Sequence, residues 1–246
     1  MTPTVIAHRG FAGVNPENTV GAVHAAAADA DRIEIDVVAC GDGTPVVFHD
    51  TRLDDGDGSR GITDGDGAVH ESSPATVTAA TVGPSDETVP TLARLVETTD
   101  VPLNVELKRP ATAAVRSGAL SPADRAAARE RWQPFVDRVF ETLDDREILF
   151  SSFCEGALAA VRDRDATAPL APICHDLSAG RDLAARYDTT AIHPSLAAVR
   201  AAETADADPD LNVWTIRTWD EAVEAVRLGA DGIIADYPGL TQWLGA

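Results

Sequence analysis

Several side chains with acid–base or ion-binding chemistry lie at the ends of apolar, strand-like stretches of this sequence. Glu34 and Asp36 are separated by one residue, and Glu106 and Lys108 repeat that spacing later in the chain. Because alternate residues of a β-strand face the same side, we expect the members of each pair to share a face. Three further strand-end residues belong to the set: His8, Arg9 and His49.

The three carboxylates allow two interpretations. Glu34, Asp36 and Glu106 would repel one another strongly if they were buried together without partners. A bound divalent cation relieves that repulsion, and a donor set made only of oxygen atoms suits Mg²⁺ or Ca²⁺. Alternatively, Arg9 and Lys108 neutralise the acids in buried salt bridges. The residue types favour the cation but leave both interpretations open.

The two strand-end histidines are candidate acid–base catalysts. Imidazoles on either side of a bound anion can act as general acid and general base near neutral pH. Arg9 and Lys108 would supply fixed positive charge to such an anion, and arginine can bind a phosphate through two N–H groups. The hypothesis is therefore a pair, His8 and His49, acting on a phosphate. The other histidines rank lower, two on a helix or in a loop and two near strand ends: His24, His70, His175 and His193.

The elements that must position these residues alternate along the chain, short apolar runs with alanine-rich helical stretches. This order is typical of βα units and a parallel sheet. Nine runs are strand-like: Thr4–His8, Arg32–Ala39, Pro45–His49, Leu103–Lys108, Glu147–Ser152, Leu170–His175, Thr190–Pro194, Leu211–Ile216 and Gly232–Asp236. Six segments are helix-compatible: Asn18–Asp31, Thr91–Thr99, Asp124–Leu143, Glu155–Asp163, Ala179–Tyr187 and Asp220–Leu228.

One of the nine runs cannot belong to a parallel barrel. Only Cys40–Thr44 joins the second run to the third, whereas a parallel crossover needs about a dozen residues or more. The two runs therefore form an antiparallel hairpin, and a turn centred on Asp42 and Gly43 would place Asp36 opposite His49. The remaining eight runs predict an α/β fold, a (β/α)₈ TIM barrel with a β-hairpin extension. Such barrels carry their active sites at the carboxyl ends of the strands.

The segment 51–88 fits no βα unit. It is dense in Gly and Asp, which indicates turns. We expect a small loop-rich insertion after the second strand, over the barrel mouth, within a single domain that spans residues 1–246.

The charge of the chain restricts its partners. Acidic residues number 40 against 20 basic ones, for a formal net charge of −20. This balance argues against nucleic acid or an anionic membrane as a partner. Lys108 is the single lysine, and an acidic, lysine-poor composition is typical of a salt-adapted, halophilic protein whose self-repulsion is screened by salt.

The compartment is expected to be the cytoplasm. The first residues show neither a basic segment nor a long apolar one, and no stretch of about 18 apolar residues occurs. The three cysteines, Cys40, Cys154 and Cys174, have unrelated spacings, which suits a reducing compartment.

The ordered motifs resemble the glycerophosphodiester phosphodiesterase family. HRG and PENT, at His8–Gly10 and Pro16–Thr19, look like its opening. Later blocks follow in order: IEIDV at Ile33–Val37, DGTPVVFHD at Asp42–Asp50, VPTL at Val89–Leu92, NVELK at Asn104–Lys108, SSF at Ser151–Phe153, VWTI at Val213–Ile216 and GADGIIADYP at Gly229–Pro238. The resemblance covers nearly the full chain. The region Pro110–Asp145 is longer than this resemblance leads us to expect.

The resemblance implies a role for each matching residue. His8 and His49 become the catalytic pair, with Arg9 and Lys108 as phosphate contacts, and Glu17 becomes a structural or supporting residue. Glu34, Asp36 and Glu106 become the ligands of a divalent cation, Mg²⁺ or Ca²⁺. Trp214 lines the alcohol pocket or is ordinary core.

The implied reaction is metal-dependent hydrolysis of a small-molecule glycerophosphodiester to glycerol phosphate and an alcohol. An alternative with the same site is a phospholipase D-like phosphodiesterase acting on lysolipids or another phosphodiester. The polar composition of the insertion favours small water-soluble substrates and no stable membrane association. The oligomeric state and the identity of the alcohol do not follow from the sequence.

Overall fold

Strands dominate the centre of the fold. The computed structural model describes residues 2–110, 116–143, 146–202 and 209–242. Within these ranges lie nine strands: β1 (Thr4–His8), β2 (Arg32–Ala39), β3 (Pro45–Val47), β4 (Leu103–Arg109), β5 (Ile148–Ser152), β6 (Leu170–Cys174), β7 (Ala191–Pro194), β8 (Asp210–Ile216) and β9 (Gly232–Ala235). All except β3 pair in parallel, and β1 pairs with both β2 and β9, which closes the ring. The predicted (β/α)₈ barrel is confirmed.

Helices connect the strands on the outside of the barrel, with one exception. The helices are α1 (Val20–Ala26), α2 (Pro74–Thr78), α3 (Leu92–Val96), α4 (Pro122–Leu143), α5 (Glu155–Arg164), α6 (Leu177–Tyr187), α7 (Leu196–Ala202) and α8 (Trp219–Arg227). The exception is α2, which lies in the segment after β3 and packs on the hairpin. The sequence analysis missed α7, a seven-residue helix. Its start is capped by the Ser195 hydroxyl, which accepts from the backbone N–H of Ala198. Part of the long region Pro110–Asp145 is α4, while 111–115 and 144–145 lie outside the described residues.

The alternation within β2 shows how the barrel separates its core from its site. Ile33, Ile35 and Val37 are fully buried and belong to the main hydrophobic cluster, which also contains residues of the surrounding helices. The intervening residues, Glu34 and Asp36, project into the barrel. A period of two therefore supplies apolar contacts to the helices and polar groups to the interior.

The hairpin register differs from the predicted one by a single residue. Val37 pairs with Val47, and the backbone N–H of Phe48 donates to the carbonyl of Asp36, so Phe48 and not His49 lies opposite Asp36. The prediction assumed a two-residue turn, whereas three residues, 41–43, close the loop. Gly43 adopts a φ of +84° there, and glycine in the left-handed region is what a three-residue hairpin loop favours.

The segment after β3 has its own small hydrophobic cluster. Beyond the turns, it contains a 3₁₀ helix (Val69–Glu71) and α2. Apolar residues of this segment, including Leu53 and Val77, pack with Phe48 of the hairpin. The insertion is therefore anchored to the barrel through the hairpin arm. No helix among the described residues has both the length and the apolar character needed to cross a membrane.

Candidate active site

A cavity of about 550 Å³ opens at the carboxyl ends of the strands. It brings together nearly all the residues singled out from the sequence. Among its lining residues are His8, Arg9, Glu34, His49, Glu106, Lys108 and Trp214. A second cavity of about 320 Å³ lies against the insertion and shares His49, Glu106 and Lys108 with the first. The predicted histidine pair therefore faces one continuous region of the barrel mouth.

Three carboxylates form an acidic cluster in this region. One oxygen from each of Glu34, Asp36 and Glu106 lies within 4.8 Å of the others, and all three residues are buried. The register explains their meeting, because Asp36 of β2 is the direct neighbour of Glu106 on β4. Among the residues with described coordinates, this is the one such group of His, Cys, Asp or Glu that could hold a metal ion.

Two cationic side chains lie against the acidic cluster. Arg9 Nε lies 2.9 Å from Asp36 Oδ2, and Lys108 Nζ lies 3.3 Å from Asp36 Oδ1 and 3.0 Å from Glu106 Oε1. Burial opposes the charge on Asp36, but Arg9 and Lys108 outweigh it and hold the pKa of this carboxyl well below its usual range. Salt bridges of the predicted kind are therefore present.

Glu34 differs from the other two acids. It accepts a hydrogen bond from the backbone N–H of Arg9 at 3.0 Å. Burial, followed by the charges of Asp36 and Glu106, raises its pKa well above the usual range. Its buried Oε1 atom has no hydrogen-bond partner within the described part of the chain. The salt bridges thus leave carboxylate oxygen unused, and a set of buried oxygen donors with an unsatisfied member fits a hard divalent cation.

The backbone after β1 forms a tight turn that places Arg9 beside this cluster. Arg9, Gly10 and Phe11 have φ angles of 52°, 75° and 61°, in the left-handed region that side chains other than glycine rarely adopt. Strained conformations of this kind persist where surrounding contacts over-determine them. Here the N–H of Arg9 binds Glu34 while its guanidinium binds Asp36 and Glu17.

His8 is held by the carboxylate of Asp236, the residue that directly follows the last barrel strand. Its Nδ1 lies 2.5 Å from Asp236 Oδ1, and Arg217 Nε lies 2.8 Å from Asp236 Oδ2. Burial opposes the charge on Asp236, but His8 and Arg217 lower its pKa. With Nδ1 engaged, Nε2 is the ring atom directed at the acidic cluster, 4.0 Å from Glu34 Oε2.

His49, which follows β3, has a matching arrangement. Its Nδ1 lies 2.6 Å from Asp50 Oδ1, and Arg60 Nε lies 3.1 Å from the same carboxylate. Burial opposes the charge on Asp50, but the hydrogen bonds from His49 and Arg60 outweigh it and lower its pKa. Arg60 also binds Glu17. Each histidine is therefore oriented by an aspartate that is itself held by an arginine.

The sequence analysis did not identify these supporting residues. Asp50 directly follows His49, and Asp236 directly follows β9, so a search for carboxylates beside the histidines could have found Asp50. Arg60 carried no signal, because it comes from a turn-rich segment that sequence patterns do not place.

An aromatic wall, formed by Phe153, His175 and Trp214, lines part of the same cavity. Trp214 contacts both His175 and Phe153, with ring centroids 5.1 and 5.5 Å apart, and Phe153 stacks on His175. Trp214 Nε1 donates to the backbone carbonyl of His193 at 2.8 Å. Trp214 therefore lines the cavity. The remaining two histidines lie elsewhere, with contacts to a backbone carbonyl and to a neighbouring acid: His24 and His70.

Comparisons with known proteins agree with this geometry. The sequence profile of the Glycerophosphoryl diester phosphodiesterase family matches residues 8–240. A glycerophosphodiester phosphodiesterase of Bacillus altitudinis is 27% identical over 256 residues, covering 95% of this chain and 94% of the relative.

Solved structures share the fold. A phosphodiesterase of Oleispira antarctica, in complex with the product sn-glycerol-3-phosphate, has a TM-score of 0.79 at 28% identity, covering 98% of this chain and 96% of that one. A glycerophosphodiester phosphodiesterase of Parabacteroides distasonis has a TM-score of 0.76 at 19% identity and covers 99% and 96% of the two chains; at that identity it speaks for the fold alone.

The barrel topology is shared with phosphodiesterases over nearly the whole length of the chain. The protein is therefore one of the phosphoric diester hydrolases. The profile match is more specific than that class. The chain belongs to the glycerophosphoryl diester phosphodiesterase family, which confirms the resemblance noted in its motifs.

Proposed function

We propose that this chain hydrolyses small glycerophosphodiesters to glycerol phosphate and an alcohol, using a divalent cation and two histidines. The observation that carries the proposal is the convergence of His8, His49 and the acidic cluster on one cavity that also presents Arg9 and Lys108. The sn-glycerol-3-phosphate bound to the Oleispira enzyme is the product of that relative, and it supports the same product class here.

Glu34, Asp36 and Glu106 are the proposed ligands of Mg²⁺ or Ca²⁺. Their oxygen atoms are the donors that both cations prefer, and the unsatisfied Oε1 of Glu34 supports a ligand role. When bound, the cation would withdraw charge from the phosphate oxygens and stabilise the charge that develops there.

Arg9 and Lys108 are the proposed phosphate contacts. Burial opposes the charge of each side chain, but the neighbouring acids raise the pKa of both, so both stay cationic at any physiological pH. They already lie beside the acidic cluster, so a phosphate held next to it would meet two positive groups. Positioned charges of this kind stabilise the transition state without having to reorganise.

The two histidines would move the protons. With Nδ1 of each ring bound to an aspartate, Nε2 is free to exchange a proton with the substrate. One histidine removes a proton from the attacking oxygen, which belongs either to water or to the glycerol 2-hydroxyl; in the second case a cyclic glycerol phosphate forms, and water then opens it to glycerol phosphate. The other protonates the departing alkoxide. Each positioned acid or base typically contributes about 10²–10⁴-fold.

A second candidate is a phospholipase D-like reaction on lysolipids, and the aromatic wall is the observation that favours it. Phe153 and Trp214 would contact an apolar substituent. The polar residues of the insertion beside His49, among them Asp57 and Ser59, favour the small polar diester. Trp214 is accordingly proposed to line the alcohol pocket.

A coupled assay for released glycerol phosphate tests the proposal. The purified chain is incubated with glycerophosphoethanolamine or a lysophospholipid in molar salt. Each reaction is run without chelator, with chelator, and with Mg²⁺ or Ca²⁺ added back. We expect turnover of the first, loss of turnover with chelator, and recovery with one of the ions. His49→Ala should retain the fold and lose at least about 100-fold in kcat, with His70→Ala as the matched control. Unimpaired turnover by His49→Ala would refute the histidine assignment.

A further inference from the structure

The floor of the main cavity carries polar groups that the proposed chemistry does not use. Asn104 on β4 and His193 on β7 both line the cavity from below, and they are 1% and 0% exposed. Within the described residues, neither atom of the Asn104 amide has a hydrogen-bond partner, and neither does Nδ1 of His193. Buried polar groups are nearly always hydrogen-bonded, so we expect these atoms to form hydrogen bonds with a molecule bound inside the cavity.

The protonation of His193 follows from the hydrogen bond that its side chain makes with Asn212. Nδ2 of Asn212 lies 3.1 Å from Nε2 of His193. An amide nitrogen donates, so Nε2 accepts and carries no proton. Burial, followed by the charge of Arg32, lowers the pKa of His193 to about 3, so the ring is neutral at physiological pH. A neutral imidazole has one N–H, which places it on Nδ1.

Asn104 offers the complementary group. Its amide presents an acceptor oxygen and a donor nitrogen, and its strand neighbour is Glu34 of the acidic cluster. It also precedes Glu106 by two residues on the same face of β4, which is about 7 Å along the strand. Asn104 therefore lies deeper in the barrel than Glu106 and the position proposed for the phosphate.

We propose that Asn104 and His193 form the subsite that binds the hydroxyl groups of the glycerol moiety. This inference rests on the proposed function and assigns the glycerol end of the substrate to the barrel floor. Glycerol carries two hydroxyls in addition to the esterified one, and each both donates and accepts. The two hydroxyls can therefore pair with the Asn104 amide and the His193 N–H. A simple alkyl group would leave these two protein groups buried without a hydrogen-bond partner.

Product binding tests the subsite without depending on turnover. Calorimetry would measure the Kd of sn-glycerol 3-phosphate and of propyl phosphate, which lacks both hydroxyls, at saturating cation. The wild-type chain should bind glycerol phosphate at least about tenfold more tightly than propyl phosphate. Asn104→Leu should remove most of that preference, because a site built for a hydroxyl discriminates through its unpaired groups, while the Kd of propyl phosphate should change less than about threefold.

Two further variants keep the result interpretable. His193→Gln keeps an acceptor for the Asn212 N–H but has no N–H at the position of Nδ1, so it should reduce the same preference even if Asn104→Leu does not fold. Ser151→Ala is the matched control, since Ser151 on β5 is equally buried and unpartnered among the described residues but does not line the main cavity. It should leave the preference unchanged.

Parallel weakening of both ligands, or an unchanged preference in folded Asn104→Leu and His193→Gln, would overturn the subsite; the floor would then hold water only. Failure of the proposed function is a separate outcome. In that case the wild-type chain would release no glycerol phosphate in the coupled assay, whatever the calorimetry gives.

Discussion

Replacing Asp50 by Asn should impair catalysis while leaving the cavity in place. Asp50 is 6% exposed, accepts from His49 Nδ1 at 2.6 Å and is bound by Arg60. Asparagine has the same shape and can still accept from Arg60. Its amide nitrogen, however, can present a donor to Nδ1, which would put the imidazole proton on Nε2 and remove the anion that stabilises the charged ring.

The size of the effect follows from the contact. A hydrogen bond to a charged group contributes about 1.5–3 kcal/mol. The burial of Asp50 leaves little solvent screening to reduce it. If that energy is realised in the transition state, kcat falls by about 10- to 160-fold, since about 1.36 kcal/mol corresponds to a factor of ten. KM should change little, because the aspartate does not line the main cavity.

The assay is steady-state hydrolysis of a glycerophosphodiester with kcat and KM determined separately, alongside thermal unfolding. Asp54→Asn is the matched control: Asp54 also pairs with an arginine of the insertion, Arg52 at 2.6 Å, but its contacts with the described residues include no histidine. We expect its kcat to stay within about twofold of wild type. A normal kcat for Asp50→Asn, or an equal loss in both variants, would show that Asp50 does not position His49.

The remaining predictions concern the second histidine, a buried acid and salt. Asp236→Asn should lower kcat by a factor similar to that of Asp50→Asn, because Asp236 holds His8 in the same way. A normal kcat would show that Asp236 does not position His8 for catalysis. Glu155→Gln should lower the free energy of unfolding by about 1–3 kcal/mol, measured by urea denaturation, because the fully buried Glu155 binds Arg125 and Arg186. Burial opposes the Glu155 charge, but hydrogen bonds from the Leu120 N–H and the Tyr187 hydroxyl, followed by those from Arg186 and Arg125, lower its pKa below 4.5. The stabilisation is therefore full above pH about 4.5 and is lost as the pH falls through the lower folded value; a difference that grows in acid would contradict this. The melting temperature of the wild-type chain should rise between about 0.1 and 2 M KCl, since salt screens a net charge of −20; a flat response would remove the salt-adaptation hypothesis.

Short-range features were predictable because a few neighbouring residues encode them. The period of two in β2 placed Glu34 and Asp36 on one face, and the five-residue link Cys40–Thr44 required a hairpin. The exact pairing of that hairpin was missed by one residue, since it depends on whether Gly43 takes a left-handed conformation. That choice is made by the whole loop and the insertion packed beside it.

Residue types and local periodicity were enough to establish the barrel, the family motifs and the candidate acids, cations and histidines. Only the folded chain decided which of them touch. Asp236 reaches His8 across 228 positions, Arg60 reaches Asp50 from a segment without regular pattern, and the polar floor forms where distant strands meet. Such contacts depend on barrel closure and on the sum of many packing interactions, which no short window of sequence contains.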